Sequence, residues 1–357
     1  MTSRRTLLKG TLCAGAAALL PTVASASGPR PLLRLPAPTG PYPVGMQVVH
    51  LTDRARTDPW VGGVRELMLT VLYPARSVRG TSRAPQLTPR EAQAFAGLAP
   101  RVHPGLPEPG TVDWGAVLTH AHRGAPSLPG RRPVLVYSPG GGDSRTLGTS
   151  LAEDLASHGR VVVLVDHPGD ASQVELPAGI RTTVLTGPPD PAAFRTMADT
   201  RIADLRFVLN RLRDLPPAKV MDPDRIGLYG HSAGGTAAVY AAGRDRRVGA
   251  VANLEGYLDL YPAPVGFDRP VLLFRTDGFE GGARIDSSWA GMPGRRALLA
   301  DAGHWAFTDY GTFVPQLQSA GLVTAAARAA LVGTGGPGVA LAEVRREVGA
   351  FFARHLS

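Results

Sequence analysis

Arg225-Ile-Gly-Leu-Tyr-Gly-His-Ser-Ala-Gly-Gly235 is the stretch on which the reading of this chain turns. The apolar run Ile226–Tyr229 enters Gly230-His231-Ser232-Ala233-Gly234, and small residues continue through Ala242. That order predicts a strand, a sharp turn and a helix. A serine at such a turn is held in strained backbone, and its flanking glycines leave room for it. Its hydroxyl emerges at the C-terminal edge of a sheet, so Ser232 reads as a nucleophile. In a chain with 43 glycines among 357 residues, G-x-S-x-G alone carries little weight. The context decides: a strand before, a helix after, then a carboxylate and a histidine in that order.

Upstream, Pro133-Val-Leu-Val-Tyr-Ser138 has the apolar continuity of a buried strand and ends in Pro139-Gly-Gly-Gly-Asp143. Thr146–His158 has helical spacing (Leu147, Leu151, Leu155) and stops at Gly159. Val161–Val165 is the next strand, closing on Asp166-His-Pro-Gly-Asp170, and Ala192–Leu215 is a long amphipathic helix. Downstream of Ser232, Val248–Leu254, Pro270–Phe274 and Arg296–Leu299 read as strands. The last helix has an apolar face of Leu341, Val344, Val348, Phe351 and Phe352. This alternation predicts an α/β fold, a mostly parallel central sheet with helices on both faces. Before it, Met46–Leu51 and Arg65–Tyr73 read as two strands that pair as an antiparallel edge. Residues 75–130 are rich in Pro, Gly and Arg. They contain two amphipathic pieces, Pro89–Leu98 and Trp114–His122. Such an insertion is expected either to cap the site or to lie on the surface away from it.

A serine hydroxyl needs a base in hydrogen-bond reach, and the base needs a carboxylate to orient it. His304, in Asp301-Ala-Gly-His-Trp305 after the last strand, is the first choice of base and His167 the second. His231, beside the serine in sequence, is expected to point away into packing. For the acid, Glu255, Asp277 and Asp259 all fall between Ser232 and His304. The tetrahedral intermediate needs two N–H donors. Ala233, at the helix N-terminus, and the Gly140–Asp143 loop are placed to give them. A phosphate cradle at Gly140–Gly142 is disfavoured because no G-K-[ST] follows.

The chain carries a formal charge of +9 with only two lysines, Lys9 and Lys219. The arginines are scattered rather than clustered with aromatics, which argues against nucleic-acid binding and leaves a mild preference for anionic interfaces. Ser3-Arg4-Arg5-Thr6-Leu7-Leu8-Lys9 is a twin-arginine pattern, followed by a short apolar run to Leu20 and an Ala24-Ser25-Ala26 cleavage site. Residues 1–26 are thus expected to be an export signal, too short in apolar length to span a bilayer. Cleavage removes Arg4, Arg5, Lys9 and the only cysteine, Cys13. The mature chain of 27–357 then carries +6, has no disulfide, and forms one domain.

Tyr137-Ser-Pro-Gly-Gly-Gly142, Asp154-Leu-Ala-Ser-His-Gly159, Val165-Asp-His-Pro168, Gly230–Gly235, Asn253-Leu-Glu-Gly256 and Gly303-His304 together resemble the α/β-hydrolase superfamily. Within it they resemble the plasma-type platelet-activating-factor acetylhydrolases and their bacterial relatives, from about Gly40 to Tyr310. The resemblance implies an α/β-hydrolase fold and a calcium-independent serine esterase with no metal or cofactor. It implies a Ser–acid–His triad acting on a small-molecule or lipid ester, with interfacial contact but no membrane span. It favours Glu255 over Asp277 as the acid, with Glu standing where the family pattern has Asp, and puts the second oxyanion donor on Gly141. Pro139 replaces the family's histidine. Short acyl esters, including sn-2 short-chain phospholipids, are the first expected substrates. Cutinase-like polyester hydrolysis, whose acid position would be Asp277, or lipase action on the same triad is the alternative. A non-catalytic binding protein of this fold is the rival of a different class.

Overall fold

The computed structural model describes residues 30–187, 189–261 and 267–357. The expected export signal lies outside the described residues. The chain from Pro31 onward forms one compact unit.

In chain order the elements are β1 (Val44–Thr57), β2 (Val64–Pro74), β3 (Arg83–Pro85), α1 (Pro89–Val102), β4 (Leu118–Arg123), β5 (Arg132–Ser138), α2 (Thr149–Ser157) and β6 (Val161–Val165). There follow β7 (Gln173–Leu176), β8 (Gly179–Thr182), α3 (Pro191–Arg211), β9 (Met221–His231), α4 (Ala233–Arg244), β10 (Val248–Leu254) and β11 (Val271–Thr276). The chain closes with α5 (Gly282–Trp289), β12 (Arg295–Leu299), α6 (Tyr310–Ser319), α7 (Ala325–Val332) and α8 (Val339–His355).

Ten strands form one sheet in the order β12-β11-β10-β9-β5-β6-β2-β1-β4-β3, while β7 and β8 form a separate hairpin. From β12 to β6 all neighbours are parallel. The reason lies in the side chains. In β5, Val134 and Val136 enter one core while Leu135 and Tyr137 enter the other. In β6, Val161, Val163 and Val165 alternate with Val162 and Leu164 in the same way. A strand apolar on both faces must be covered on both, which is what crossover helices supply. Helix α3 (Ile202, Leu205, Leu209) and α4 (Ala237–Ala242) cover the first face. Helix α2 (Leu151, Leu155) and α8 (Val344, Val348, Phe351, Phe352) cover the second. Each fully buried Val, Leu or Phe contributes roughly 1.5–3 kcal/mol, so these two cores outweigh local propensity in fixing the sheet.

Two expectations change. The β1–β2 pair is antiparallel, but it is not the edge. Gly45 and Met46 of β1 pair with His122 and Arg123 of β4, and β3 lies beyond. The stretch Trp114–His122 is therefore a short 3-10 turn followed by a strand. Its burial has period two, with Thr119 and Ala121 inside and Leu118, His120 and His122 less so. Residues 75–130 extend the sheet as well as supplying α1. That helix starts with a capping box between Thr88 and Glu91. Its Phe95 packs on Trp114 and Tyr310. Its far end abuts the loop after β5, where a Cβ on Gly142 would meet Val102 at 3.5 Å.

Candidate active site

The parallel strands end on one edge, and the residues singled out above gather there. Between Ile226 and Ala242 every residue is buried except Ser232, which is half-buried. Its backbone has φ 52° and ψ −123°, a conformation costly for a non-glycine residue. Strain of this kind persists only where the surroundings enforce it, and here they do. The Ser232 N–H donates to the Leu254 carbonyl at 2.8 Å. A Cβ on Gly230 would lie 2.3 Å from Gly234, and one on Gly234 would lie 2.0 Å from the Ser138 carbonyl oxygen. Both positions therefore require glycine.

The acid sits on the next strand. Glu255 follows β10 directly in a left-handed conformation, φ 61°. The Asn253 side chain brackets the turn, accepting from the Gly256 N–H at 2.7 Å and donating to its carbonyl at 2.9 Å. A Cβ on Gly256 would strike the Ser232 carbonyl at 2.3 Å, so this turn packs directly against the nucleophile's turn. One oxygen of Glu255 accepts from the Thr276 N–H and hydroxyl, at 2.6 and 2.8 Å. The other lies 2.7 Å from Nδ1 of His304. With Nδ1 taken by a carboxylate, Nε2 is the nitrogen left for the serine.

The remaining candidates are placed elsewhere. Asp277 turns its carboxylate to the backbone N–H groups of Asp301 and Ala302, at 2.9 and 3.1 Å. It therefore shapes the loop that carries His304 without touching the ring. Asp259 is exposed and paired with Arg284. His167 is fully buried behind the Gly140 loop, with Nδ1 on Asp204 and Nε2 on the Ser138 hydroxyl, both at 2.9 Å. This Asp204–His167–Ser138 chain has the connectivity of a triad but no solvent access, since all three side chains are sealed. His231 does not point away from the site. Its Nε2–H donates to the His304 carbonyl at 2.9 Å, and its ring lies 4.5 Å from the His304 ring.

Gly141 and Ala233 face each other. A Cβ on Gly141 would come within 3.7 Å of the Ala233 Cβ and 3.3 Å of the Met197 sulfur. Among the described residues no acceptor takes up either N–H in a turn or side-chain hydrogen bond. Also among the described residues, no group of three or more His, Cys, Asp or Glu is arranged to hold a metal, and no helix is long and apolar enough to cross a membrane.

The profile of the family described as platelet-activating factor acetylhydrolase, isoform II, matches residues 28–176. The solved structure of a ferulic acid esterase from Streptomyces cinnamoneus superposes with a TM-score of 0.77 at 35% identity, covering 91% of this chain and 94% of that one. A protein from Arthroderma benhamiae, named as a probable 1-alkyl-2-acetylglycerophosphocholine esterase, is 29% identical over 269 residues. That match takes in 71% of this chain and 65% of the relative, so the chain spans less than two thirds of that relative's length. The chain has the α/β-hydrolase fold and is similar over most of its length to an esterase of that fold, and over its N-terminal part to the platelet-activating-factor acetylhydrolases.

The electrostatics of this site follow from burial. Removal from water lowers the His304 pKa to about 4 and raises that of Glu255 to about 7, against the pull of its Thr276 hydrogen bonds. Burial, with the neighbouring His304, also lowers His231 to about 3, so it stays neutral. Phe279 stacks on the His304 ring at 4.1 Å and 18°, and Trp305 meets it edge-on at 5.1 Å. His103, which ends α1, approaches Asp143 of the glycine loop at 3.3 Å and packs on Trp305 at 4.6 Å. Neither Phe279 nor His103 was singled out from sequence. Phe279 lies two residues beyond Asp277, in a loop read only for its carboxylate. His103 lies in the insertion, which carried no motif.

Proposed function

We propose that this protein hydrolyses carboxylic esters through an acyl-enzyme on Ser232. His304 takes the serine proton through Nε2 and returns it to the leaving alcohol. Glu255 holds Nδ1 and balances the imidazolium that forms. The N–H groups of Ala233 and Gly141 receive the oxyanion, and water releases the acyl group. The observation that carries this reading is the 2.7 Å contact of Glu255 with His304 beside a strained, half-exposed serine.

Short acyl esters, including sn-2 short-chain phospholipids, are the first substrate class. The family profile and the acetylglycerophosphocholine-esterase relative both support it. Aromatic acyl esters are a second class, supported by Phe279 and Trp305 around His304 and by the ferulic acid esterase neighbour. Polyester or lipase-type substrates use the same machinery. The reading includes export by the twin-arginine route and release from residues 1–26.

A fluorophosphonate probe tests the chemistry: labelling of folded protein that disappears in Ser232→Ala supports it, and absence of labelling refutes it. Substrate class is tested by comparing p-nitrophenyl esters from acetyl to decanoyl, methyl ferulate, a 2-acetyl phospholipid and polyester film.

A further inference from the structure

A cation sealed behind the glycine loop has no part in the reaction as described above. Arg201, on α3, is fully buried. All five of its N–H donors are used. Nε–H and one Nη2–H go to the two oxygens of Asp170, the former at 2.9 Å. The other Nη2–H goes to the Gly140 carbonyl at 2.9 Å. The two Nη1–H groups go to the Pro139 carbonyl and the Ser138 hydroxyl, the latter at 3.3 Å. A guanidinium has five donors in one rigid plane, so this set fixes its position completely.

The consequence follows from peptide geometry. The Gly140 carbonyl and the Gly141 N–H belong to one planar trans peptide and point in opposite directions. A carbonyl held toward Arg201 sends the Gly141 N–H away from the guanidinium. With no Cβ at Gly140 or Gly141, that peptide rotates easily unless it is held, and its carbonyl is held by Arg201 together with the Asp143 N–H, which donates to it at 3.2 Å. A flipped peptide would present a carbonyl oxygen, rather than an N–H, to the developing oxyanion.

We propose that Arg201 is the positioning residue of the oxyanion hole: it locks the Gly140–Gly141 peptide so that the Gly141 N–H faces the reacting carbonyl oxygen. This rests on the serine-esterase reading above. The sealed Asp204–His167–Ser138 chain then has a purpose. Asp204 accepts from His167 Nδ1–H, Nε2 accepts from the Ser138 hydroxyl, and the Ser138 oxygen is left to accept from Arg201. Its protons are all accounted for with His167 neutral, and burial lowers His167 to that state. Pro139, which has no N–H, offers only its carbonyl to the guanidinium.

The test is Arg201→Lys in the full chain. Lysine keeps the charge beside Asp170 but cannot reach two carbonyls and a carboxylate in one plane. The expected result is a fall in kcat of about 100-fold, the size of losing one oxyanion donor, with little change in KM. The inhibition constant of an alkyl trifluoromethyl ketone, whose serine adduct carries the tetrahedral oxyanion, should weaken by the same factor as kcat/KM. A purely structural role would lower thermal stability and leave that ratio alone. Should Arg201→Lys fail to fold, Asp170→Asn is the deciding variant, read by the same ratio. Folded variant protein that binds the ketone as tightly as wild type overturns the proposal. Wild type that labels with a fluorophosphonate while the variant keeps full kcat overturns it without touching the esterase reading. Wild type that does not label removes that reading first.

Discussion

Glu255 Oε2 lies 2.7 Å from His304 Nδ1, while Asp277, the other carboxylate near that loop, serves two backbone N–H groups instead. The two acids therefore differ in what their loss does. Glu255→Gln leaves the ring with an amide in place of a charge, and the imidazolium of the transition state loses its counter-charge. Turnover of p-nitrophenyl acetate should fall by about 10²–10⁴-fold. Asp277→Asn weakens a loop restraint and should cost no more than about tenfold. The reverse order would move the acid to Asp277.

The pH profile should move with the same substitution. The base works only as neutral imidazole. In the wild type, Glu255 and His304 take up their first proton as a pair, and burial raises the Glu255 carboxyl to about 7. Below that, kcat/KM falls. In Glu255→Gln only His304 titrates, and burial holds it down, to about 4. The acid limb of kcat/KM should shift downward by about one pH unit or more as the maximum drops. An unmoved limb would mean that the carboxylate does not share the proton.

Phe279 lies flat on the His304 ring at 4.1 Å. A ring face attracts the imidazolium, a contribution of at least about 0.5–1 kcal/mol, the size found at exposed sites. Phe279→Leu, which keeps the apolar wall, should lower kcat on p-nitrophenyl acetate by about two- to fivefold. Its effect on methyl ferulate should be larger, because the aromatic acyl group loses a stacking partner as well. Equal losses on both esters would assign Phe279 to the base alone.

The α/β order and both core faces were legible because buried parallel strands read as continuous apolar runs, Val161–Val165 above all. The turn at Ser232 was legible because only glycine tolerates the close approaches at 230 and 234. The sheet edge was not. β4 is six residues long, LTHAHR, and its alternation of Thr119 and Ala121 with two histidines matches an amphipathic turn as well as a strand. The acid stayed open because Glu255, Asp277 and Asp259 all follow strand ends, and only the direction of each side chain separates them. Arg201 was invisible for a related reason. On α3 it is one arginine among several, and its partners lie 31 to 63 residues away.

Gly234→Ala tests the turn itself. A methyl group there would lie 2.0 Å from the Ser138 carbonyl oxygen and 2.4 Å from that of Pro139. Both belong to the strand end that feeds the glycine loop, so neither can yield without moving that loop. The variant should lose about 1–3 kcal/mol of stability or more, and most of its fluorophosphonate labelling. Gly349→Ala, inside α8 where an added methyl meets nothing within 4 Å, is the matched control and should leave labelling unchanged while raising stability by about 0.5–1 kcal/mol.

Glu153 gives a prediction about stability alone. It lies on α2, fully buried, and one oxygen accepts the Ala121 N–H at 2.6 Å, which ties β4 to the body of the sheet. Its other oxygen has no partner among the described residues. Burial raises its pKa from 4.5 to about 8, with the nearby Asp309 adding to the rise. A carboxyl whose folded pKa is raised contributes its full stability below the unfolded value. That contribution is lost as pH rises toward the folded value, because the unfolded chain ionises first. Wild-type stability should therefore decline between about pH 5 and pH 8. Glu153→Gln keeps an acceptor for Ala121 and cannot ionise, so it should be free of that decline. Relative to wild type it should gain roughly 2 kcal/mol or more over this range, at about 1.4 kcal/mol per pH unit of separation between the two pKa values. Thermal melts of both proteins at pH 5, 6.5 and 8 measure the difference directly. A gap in Tm that stays constant with pH would show that Glu153 is ionised in the folded protein, and that its charge is balanced by a partner other than Ala121.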